Sequence, residues 1–250
     1  MRSFKDNYIW LTGASSGIGR ELALYLLKEG AHLCVTARNR QALESLPLSE
    51  KSFIVAFDVS KREAYTTVTK EIQDKWGHLD RVILNAGTCR YIDLENMDLD
   101  LFDQIIQTNF LSTVYGVHAA LPLLEKSSIK QVVTVSSLNA YMGLPRAEAY
   151  GPSKAAITNF SQSLRLHGKS LGLRVTNVTP GFVKTPLTDL NDFPMPFIIS
   201  AEEAAIRMGK GILHLKEEVT FPRRFSWMMK LIASLPSRWM TSTIERIIKV

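Results

Sequence analysis

Short apolar, β-branched runs alternate along the chain with longer segments of helical periodicity. Nearly every position in the short runs is apolar, which is typical of parallel strands covered on both faces. The alternation therefore predicts βαβ units joined by right-handed crossovers. The predicted strands are residues 8–12, 32–37, 52–58, 81–85, 131–136 and 174–179, and the predicted helices are residues 17–29, 61–76, 99–125 and 149–171.

This order of elements predicts one α/β domain, a Rossmann-like, doubly wound parallel sheet with helices on both faces. A chain of 250 residues can bury the core of one such domain. We place the domain at residues 1–222 and treat residues 223–250 as a basic, amphipathic helical extension of it. Residues 219–222 (VTFP) end the domain and are a candidate last strand.

Residues 186–196 (PLTDLNDFPMP) interrupt the alternation, because they are rich in proline and apolar side chains without a clear period. The segment follows the sixth predicted strand, at the carboxyl edge of the sheet. It is either an ordinary surface loop or an excursion that covers a ligand. Phe182, Phe193, Met195 and Phe197 would make such a lid apolar.

The tail interrupts the pattern a second time, with apolar and aromatic residues mixed among cations. Residues 223–250 contain six basic residues and one acidic residue, so five of the chain's six net positive charges lie there. The nearly neutral remainder argues against a general nucleic-acid surface. Two interpretations of the tail remain open. Its helices cover the core or a partner subunit, or they lie on anionic lipid as a peripheral membrane contact.

Composition narrows the class of protein. Hydrophobic residues make up 46% of the chain, yet no apolar run approaches the roughly 18 residues of a membrane span. The first strand begins almost at the N-terminus, so we expect no secretory signal. Cys34 and Cys89 do not form a disulfide framework, which favours a reducing, cytoplasmic location. The five histidines lack metal-ligand spacing, and we predict no metal site.

A glycine-rich segment, Thr12 to Gly19 (TGASSGIG), lies between the first predicted strand and the first helix. Glycine allows the backbone angles that Gly13 needs and lets an anion approach the main chain at Gly17. Gly19 permits close packing of the helix on the sheet, and the free N–H groups of the helix start face the anion. The segment predicts a phosphate-binding turn, and the missing Gly-Lys-Ser/Thr excludes a Walker loop.

Arg38, just after the second predicted strand, indicates which dinucleotide would bind. A carboxylate at this point binds the ribose 2′-hydroxyl, whereas an arginine suits a 2′-phosphate. The sequence therefore favours NADP(H) over NAD(H). The alternative is a solvated arginine that opens the next helix.

Tyr150 and Lys154 lie four residues apart on a predicted helix and so share one face. The free phenol has a pKa of about 10, and a nearby ammonium would lower it toward neutrality. The pair therefore predicts a tyrosine that exchanges protons as a general acid or base. Alone the spacing is weak evidence, because it also occurs by chance on solvated helices.

Four more short segments follow the glycine turn along the chain, and Ser137 lies thirteen residues before Tyr150. Together with the glycine turn and the Tyr150–Lys154 pair, these features resemble the short-chain dehydrogenase/reductase family, from Tyr8 to about Thr185. Leu84 departs from the family's Asn-Asn-Ala-Gly motif, which puts a sheet-stabilising role in doubt rather than the chemistry. The segments are Phe57-Asp58-Val59, Leu84-Asn85-Ala86-Gly87, Asn109 in a helix, and Pro180 to Thr185.

The resemblance implies an oxidoreductase that transfers a hydride between NADP(H) and a carbonyl or alcohol substrate. It implies that Ser137 donates a hydrogen bond to the carbonyl oxygen and that Tyr150 delivers the proton. Lys154 holds the nicotinamide ribose, and Asn109 places a water molecule. Ser136 is one position out of register and ranks second to Ser137. The implied cofactor-binding residues are Gly13, Ser15, Ser16, Gly17, Ile18, Gly19, Arg38, Asp58, Val59, Asn85, Ala86, Gly87, Tyr150, Lys154, Pro180, Gly181, Val183 and Thr185.

Two other classes of function remain open. A non-catalytic dinucleotide-binding redox sensor needs the glycine turn but not Ser137, Tyr150 and Lys154 together. A peripheral membrane protein with a vestigial enzyme body needs only the tail. The chain also lacks the family's Asp-Gly-Gly ending, which puts a tetramer in doubt. We expect a homodimer that acts on a small, apolar carbonyl or alcohol and binds no nucleic acid.

Overall fold

The computed structural model describes residues 2–248, so Lys249 of the basic tail lies outside the described residues. A seven-stranded parallel sheet forms the centre of the molecule, with the strand order β3-β2-β1-β4-β5-β6-β9. The predicted strands are all present, and the candidate last strand pairs with β6. The strands are β1 Tyr8–Thr12, β2 His32–Ala37, β3 Phe53–Ala56, β4 Arg81–Leu84, β5 Gln131–Val135, β6 Arg174–Pro180, β7 Val183–Lys184, β8 Ile199–Ser200 and β9 Glu218–Phe221.

Helices cover both faces of this sheet, which confirms the predicted α/β, doubly wound fold. Within the described residues, no helix is both long and apolar enough to cross a bilayer. The helices are α1 Gly17–Lys28, α2 Arg40–Glu44, α3 Tyr65–Trp76, α4 Leu99–Ile106, α5 Ser112–Leu124, α6 Tyr150–Gly168, α7 Ala201–Leu213, α8 Arg223–Ala233 and α9 Ser237–Ile248.

The core consists of two large clusters, one on each face of the sheet. In β1, Ile9 and Leu11 pack into the cluster that contains residues of α1 and α7. Trp10, between them, packs into the opposite cluster with residues of α3 and α5. Side chains alternate between the faces of a strand, and both faces are covered here. The continuous apolar runs in the sequence are the consequence.

The strand order reverses at β1, which pairs with β2 on one side and with β4 on the other. Crossovers to the two sides leave a crevice outside the carboxyl ends of the strands at this point. The glycine turn follows β1, and the Asn85-Ala86-Gly87 segment follows β4. The topology therefore brings two sequence-distant motifs to one edge of the sheet.

Two predicted helices differ in detail from the structure. The segment predicted as a single helix over residues 99–125 is α4 and α5 joined by a π-helical turn, Gln107–Leu111. The segment predicted over residues 149–171 is α6 followed by the 3₁₀ turn Lys169–Leu171. The apolar period does not distinguish these variants, because each changes the helical repeat only locally.

Helix α7 was not among the helices predicted from the sequence. Only its start, at Glu202 and Glu203, gives a clear signal, and Ser200 caps it by accepting from the Glu203 N–H at 3.0 Å. Glycine inside a helix is unfavourable in isolation. Tertiary packing requires it here, because a Cβ on Gly209 would lie 2.2 Å from Tyr25, and one on Gly211 would lie 2.3 Å from Val219.

The tail forms α8 and α9, and the inner face of α8 is part of the core. Phe225, Met229 and Ile232 are buried in a third cluster with Leu138 and Met142. Their spacing along α8 is that of a single helical face. The interpretation that the tail covers the core is thus correct for this face.

Candidate active site

A cleft of about 770 Å³, counting its open mouth, lies at the carboxyl edge of the sheet. Its wall combines the segments after β4, β5 and β6, the start of α6, residues 187–193 and α8. The lining is predominantly apolar, with few polar groups, as in sites that bind small organic molecules. The lining residues that matter for the chemistry are Cys89, Ser137, Tyr150, Phe182, Phe193 and Phe225.

Tyr150 and Lys154 begin α6, and the helix directs both side chains to the same region. Lys154 is 5% exposed, and its Nζ donates a hydrogen bond to the Val135 carbonyl oxygen at 3.0 Å. The same Nζ lies 5.7 Å from the centroid of the Tyr150 ring. A Cβ on Gly87 would lie 3.3 Å from this Nζ, so a side chain at Gly87 would crowd the ammonium.

The pKa of Tyr150 differs in direction from the sequence-based prediction. Burial raises the pKa of the phenol above its usual range, and the Cys89 thiol adds to this increase. The Ser137 hydroxyl opposes it. Burial also lowers the pKa of Lys154 to about 8. The predicted lowering of the Tyr150 pKa is therefore wrong, because desolvation of the buried phenol dominates and raises it.

Ser137 lines the cleft beside Tyr150, whereas Ser136 does not. The Ser137 hydroxyl also accepts a hydrogen bond from the Asn139 N–H at 3.2 Å, so it caps the short 3₁₀ turn Leu138–Ala140. The Ser136 hydroxyl is buried and donates to the Lys154 carbonyl oxygen at 2.7 Å. Ser136 thus holds α6 against β5, and Ser137 faces the reaction space.

Asn109 is fully buried within the π-helical turn between α4 and α5. Its side-chain oxygen accepts from the Thr88 N–H at 2.8 Å. Its amide donates to the Thr88 carbonyl oxygen and to the Ser153 hydroxyl, both at 2.9 Å. These bonds tie the loop after β4 to the first turn of α6. Single π turns are frequent at functional sites.

The glycine turn has the backbone geometry that a phosphate group needs. Gly13 and Gly17 have positive φ angles, +70° and +53°. A Cβ on Gly19 would lie 2.1 Å from the Gly13 carbonyl oxygen, so only glycine fits there. The side chain of Asn85 donates to the Thr12 and Gly13 carbonyl oxygens at 3.2 and 3.3 Å, which fixes the turn from the neighbouring strand.

The start of α1 is suited to an anion. No side chain within the described residues caps its N-terminus at Ser16, and no acidic residue lies in its first turn. By contrast, Asp98 and Ser200 cap α4 and α7. Uncapped amides at a helix N-terminus can bind an anion, so the prediction of a phosphate site beside Ser15, Ser16 and Ile18 is consistent with this geometry.

Arg38 lies beside this turn, at the carboxyl end of β2. The Gly13 N–H donates to the Thr36 carbonyl oxygen at 2.8 Å, so the turn and the end of β2 are held together. The Arg38 side chain is exposed, and no hydrogen bond or ion pair holds it within the described residues. On the other side, the Phe57 N–H donates to the Ala37 carbonyl oxygen at 3.1 Å. This places Asp58 and the buried Val59 on the next strand end.

The segment after β6 closes the site from the other side. A Cβ on Gly17 would lie 3.1 Å from the Thr185 methyl, so Thr185 packs against the glycine turn. Gly181 has no room for a side chain, because its Cβ would lie 3.0 Å from Phe225 and 3.1 Å from Leu138. Pro180 and Val183 are buried at the ends of β6 and β7. The predicted cofactor residues therefore converge from separate segments on one edge of the sheet.

Residues 186–198, which we call the lid, are attached across the cleft by contacts that the sequence did not reveal. Arg146 donates from one guanidinium nitrogen to both carboxylate oxygens of Asp192, each at 2.9 Å. The guanidinium lies 4.5 Å from the centroid of the Tyr91 ring. The Tyr91 hydroxyl donates to the side-chain oxygen of Asn191. These residues carry no motif, and only the lid's apolar composition indicated a cover.

Comparison with known proteins agrees with this geometry. A family model described as short chain dehydrogenase matches residues 7–192. An uncharacterized oxidoreductase of Myxococcus xanthus is 34% identical over 242 residues, covering 95% of this chain and 96% of that protein. The 11-beta-hydroxysteroid dehydrogenase 1A of Arabidopsis thaliana is 31% identical over 259 residues, covering 92% and 73%. An uncharacterized oxidoreductase of Staphylococcus epidermidis is 31% identical over 195 residues, covering 77% and 85%.

Proposed function

This chain belongs to the short-chain dehydrogenase family, and on that premise we propose that it transfers a hydride between NADP(H) and an apolar ketone or secondary alcohol. The observation that carries the proposal is that Ser137 and Tyr150 line one apolar cleft, while the Lys154 Nζ lies 5.7 Å from the centroid of the Tyr150 ring. A redox sensor would need the turn but not these three side chains together.

In carbonyl reduction, Ser137 and Tyr150 would have different roles. The nicotinamide cofactor supplies the hydride, as it does in dehydrogenases generally. Negative charge then develops on the carbonyl oxygen, and a hydrogen bond from the Ser137 hydroxyl stabilises it. Tyr150 delivers the proton as general acid. Burial keeps its phenol protonated at neutral pH, which suits this direction of the reaction.

Lys154 and Asn109 support the proton donor. Below a pH of about 8 the Lys154 ammonium is charged, and it lies close enough to the Tyr150 ring to stabilise the phenolate left after proton transfer. Its Nζ lies beside Gly87, where it would hold the cofactor's ribose. Asn109 positions the loop of Thr88 and the first turn of α6, and so fixes the place of both catalytic side chains.

Apolar carbonyl compounds are the substrate class that the cleft fits best. Phe182, Phe193 and Phe225 form one aromatic wall, with ring centroids 5.6 to 6.0 Å apart. Such a wall buries hydrocarbon surface and has few groups to pair with a charged substrate. One relative is named as a hydroxysteroid dehydrogenase, which makes fused-ring ketones suitable members of a substrate panel.

The test is NADPH oxidation with a panel of aliphatic, aromatic and fused-ring ketones. We expect wild type to turn over at least one class, and Tyr150→Phe to lose about 10²- to 10⁴-fold in kcat while it still binds NADPH. Tyr25→Phe, on α1 and outside the cleft, is the matched control and should behave as wild type. NADPH binding without turnover of any ketone or alcohol would favour the sensor instead.

The remaining expectations need separate measurements. Vesicle binding without any cofactor affinity would favour a membrane protein with a vestigial enzyme body. Sedimentation velocity tests the homodimer, and fractionation of the producing cells tests the cytoplasmic location. Both remain predictions.

A further inference from the structure

The outer faces of α8 and α9 expose large apolar side chains. Trp227 is 75% exposed, Leu231 68% and Trp239 65%. Met228 is exposed beside them. We call these four residues the outer surface. Several large exposed apolar groups on two consecutive helices indicate an interaction site, because a monomer in water gains nothing from them.

Exposed cations lie on the helices that carry the outer surface. Arg223, Arg224, Arg238 and Arg246 are exposed on the same two helices, and the acidic residue of those helices is Glu245. Lys230 is the exception among the basic residues, because its Nζ pairs with Glu218 at 3.1 Å. The exposed faces of α8 and α9 therefore combine large apolar side chains with positive charge.

Exposed apolar side chains together with positive charge indicate which kind of partner fits the outer surface. A symmetric contact between two copies would place two faces of the same positive charge against each other, which is unfavourable. A bilayer with anionic lipid offers negative headgroups for the arginines and hydrocarbon for the tryptophans. We propose that the outer surface docks the protein peripherally on an anionic bilayer.

The same helix connects this surface to the active-site cleft. Phe225 and Met229, on the inner face of α8, line the cleft. Phe197 of the lid is 51% exposed, and its ring centroid lies 5.9 Å from that of Phe225. If the proposed function holds, docking positions the lid and the aromatic wall near the lipid from which an apolar ketone would enter.

The experiment measures binding of the full-length protein to vesicles by co-sedimentation. The vesicles are phosphatidylcholine alone or phosphatidylcholine mixed with phosphatidylglycerol. We expect binding to the mixed vesicles that weakens with salt. Trp227→Ser combined with Leu231→Ser should weaken it about tenfold or more, because two inserted side chains are lost. Arg224→Gln and Arg238→Gln should each weaken it about fivefold.

Matched controls separate docking from general stickiness and from unfolding. Leu166→Ser with Leu171→Ser removes two equally exposed leucines elsewhere, and Lys169→Gln with Lys216→Gln removes two cations elsewhere. Both pairs should bind as wild type, and thermal unfolding checks that every variant folds. A chain cut before α8 is unsuitable, because it would also lose the inner face of that helix.

Three results would overturn the proposal. They are no binding to either vesicle, equal binding by wild type and the Trp227→Ser/Leu231→Ser variant, and a change in sedimentation coefficient of that variant without lipid. The last result would assign the surface to a second copy of the chain. Sedimentation with vesicles involves no turnover, so failure of the enzymatic proposal would leave this measurement informative.

Discussion

Lys154 carries its ammonium in an almost fully buried position, where its nearest partner is the neutral carbonyl of Val135. A buried cation without a counter-ion is unfavourable, and the lowered pKa of Lys154, about 8, expresses that cost. In the unfolded chain the same group titrates near 10.4. The folded state therefore binds this proton less tightly, and the position costs stability wherever the lysine is charged.

Replacement of Lys154 by methionine separates function from stability. We expect Lys154→Met to lose turnover by about 10²-fold or more, because the cation beside Tyr150 is gone. We also expect its free energy of unfolding at pH 7 to rise by about 1–3 kcal/mol, since no buried charge remains. Urea denaturation together with steady-state kinetics checks both. A parallel loss of stability and activity would contradict the assigned role.

The pH dependence of the reductive reaction follows from the same group. Lys154 is charged below its pKa of about 8 and neutral above it, so reduction should decline as pH rises through this range. The raised pKa of Tyr150 acts in the other direction on alcohol oxidation, which needs the phenolate and should increase with pH. Initial rates of reduction and of oxidation, measured from about pH 6 to about pH 10, test whether the two rates change in opposite directions.

Arg38 decides between the two dinucleotides if the proposed cofactor is right. Loss of a charge-assisted hydrogen bond costs about 1.5–3 kcal/mol, so Arg38→Ala should weaken NADPH binding about 10- to 100-fold. NADH binding should change little, because it has no 2′-phosphate. Fluorescence titration of both cofactors measures this selectivity. An equal loss for NADH would mean that Arg38 acts on the fold rather than on the phosphate.

At the scale of elements, the lid is held by aromatic contacts of Phe193 and Phe197 and by polar contacts, among them an ion pair. The pair of Arg146 and Asp192 is largely solvent-exposed, with 51% and 63% of the side chains accessible. Exposed pairs contribute only about 0.2–1 kcal/mol, so little free energy is needed to break this contact. Tyr91 and Asn191 add a second attachment at the cleft wall.

Weakening this attachment should change substrate capture rather than chemistry. We expect Asp192→Asn and Arg146→Met each to raise KM about two- to fivefold, with a smaller effect at high salt. The double variant should be no worse than the worse single variant, because both remove one ion pair. Arg207→Met with Glu203→Gln breaks a comparable pair on α7 and is the control. Strictly additive effects would argue against a shared contact.

At the scale of the whole molecule, the tail forms part of the wall of the cleft. Helix α8 supplies Phe225 and Met229 to the cleft and Ile232 to the third core cluster. The matched family segment, residues 7–192, ends before this helix. Some residues that line the cleft therefore lie outside the segment that carries the family's motifs.

Removal of the tail should therefore separate cofactor binding from turnover. A chain that ends at Pro222 loses the buried face of α8, so we expect a lower Tm and a large fall in kcat/KM, with NADPH binding retained within a few-fold. A chain that ends at Ser234 keeps α8 and should be much less affected. Unchanged kcat/KM in the shorter chain would mean that residues 223–250 form an independent unit and not an extension of this domain.

The sequence predicted most of the fold, because strands covered on both faces and amphipathic helices leave local patterns. It also predicted the glycine turn and the Tyr150–Lys154 pair, since each depends on spacing within one segment. It did not predict the full length of α7. The glycines of this helix are required by close contacts with Tyr25 and Val219, which are distant in the chain. The contacts of Arg146 with Tyr91 and Asp192 left no local pattern either.

The sequence alone determined which chemical groups are present and which of them share a helix or a turn, because residues that share such an element are only a few positions apart. Only the tertiary structure decided that α8 has one face in the substrate cleft and one in solvent. It also decided the direction of the Tyr150 pKa, because burial depends on every segment that packs around the phenol. Desolvation is a property of the assembled molecule, and no local spacing records it.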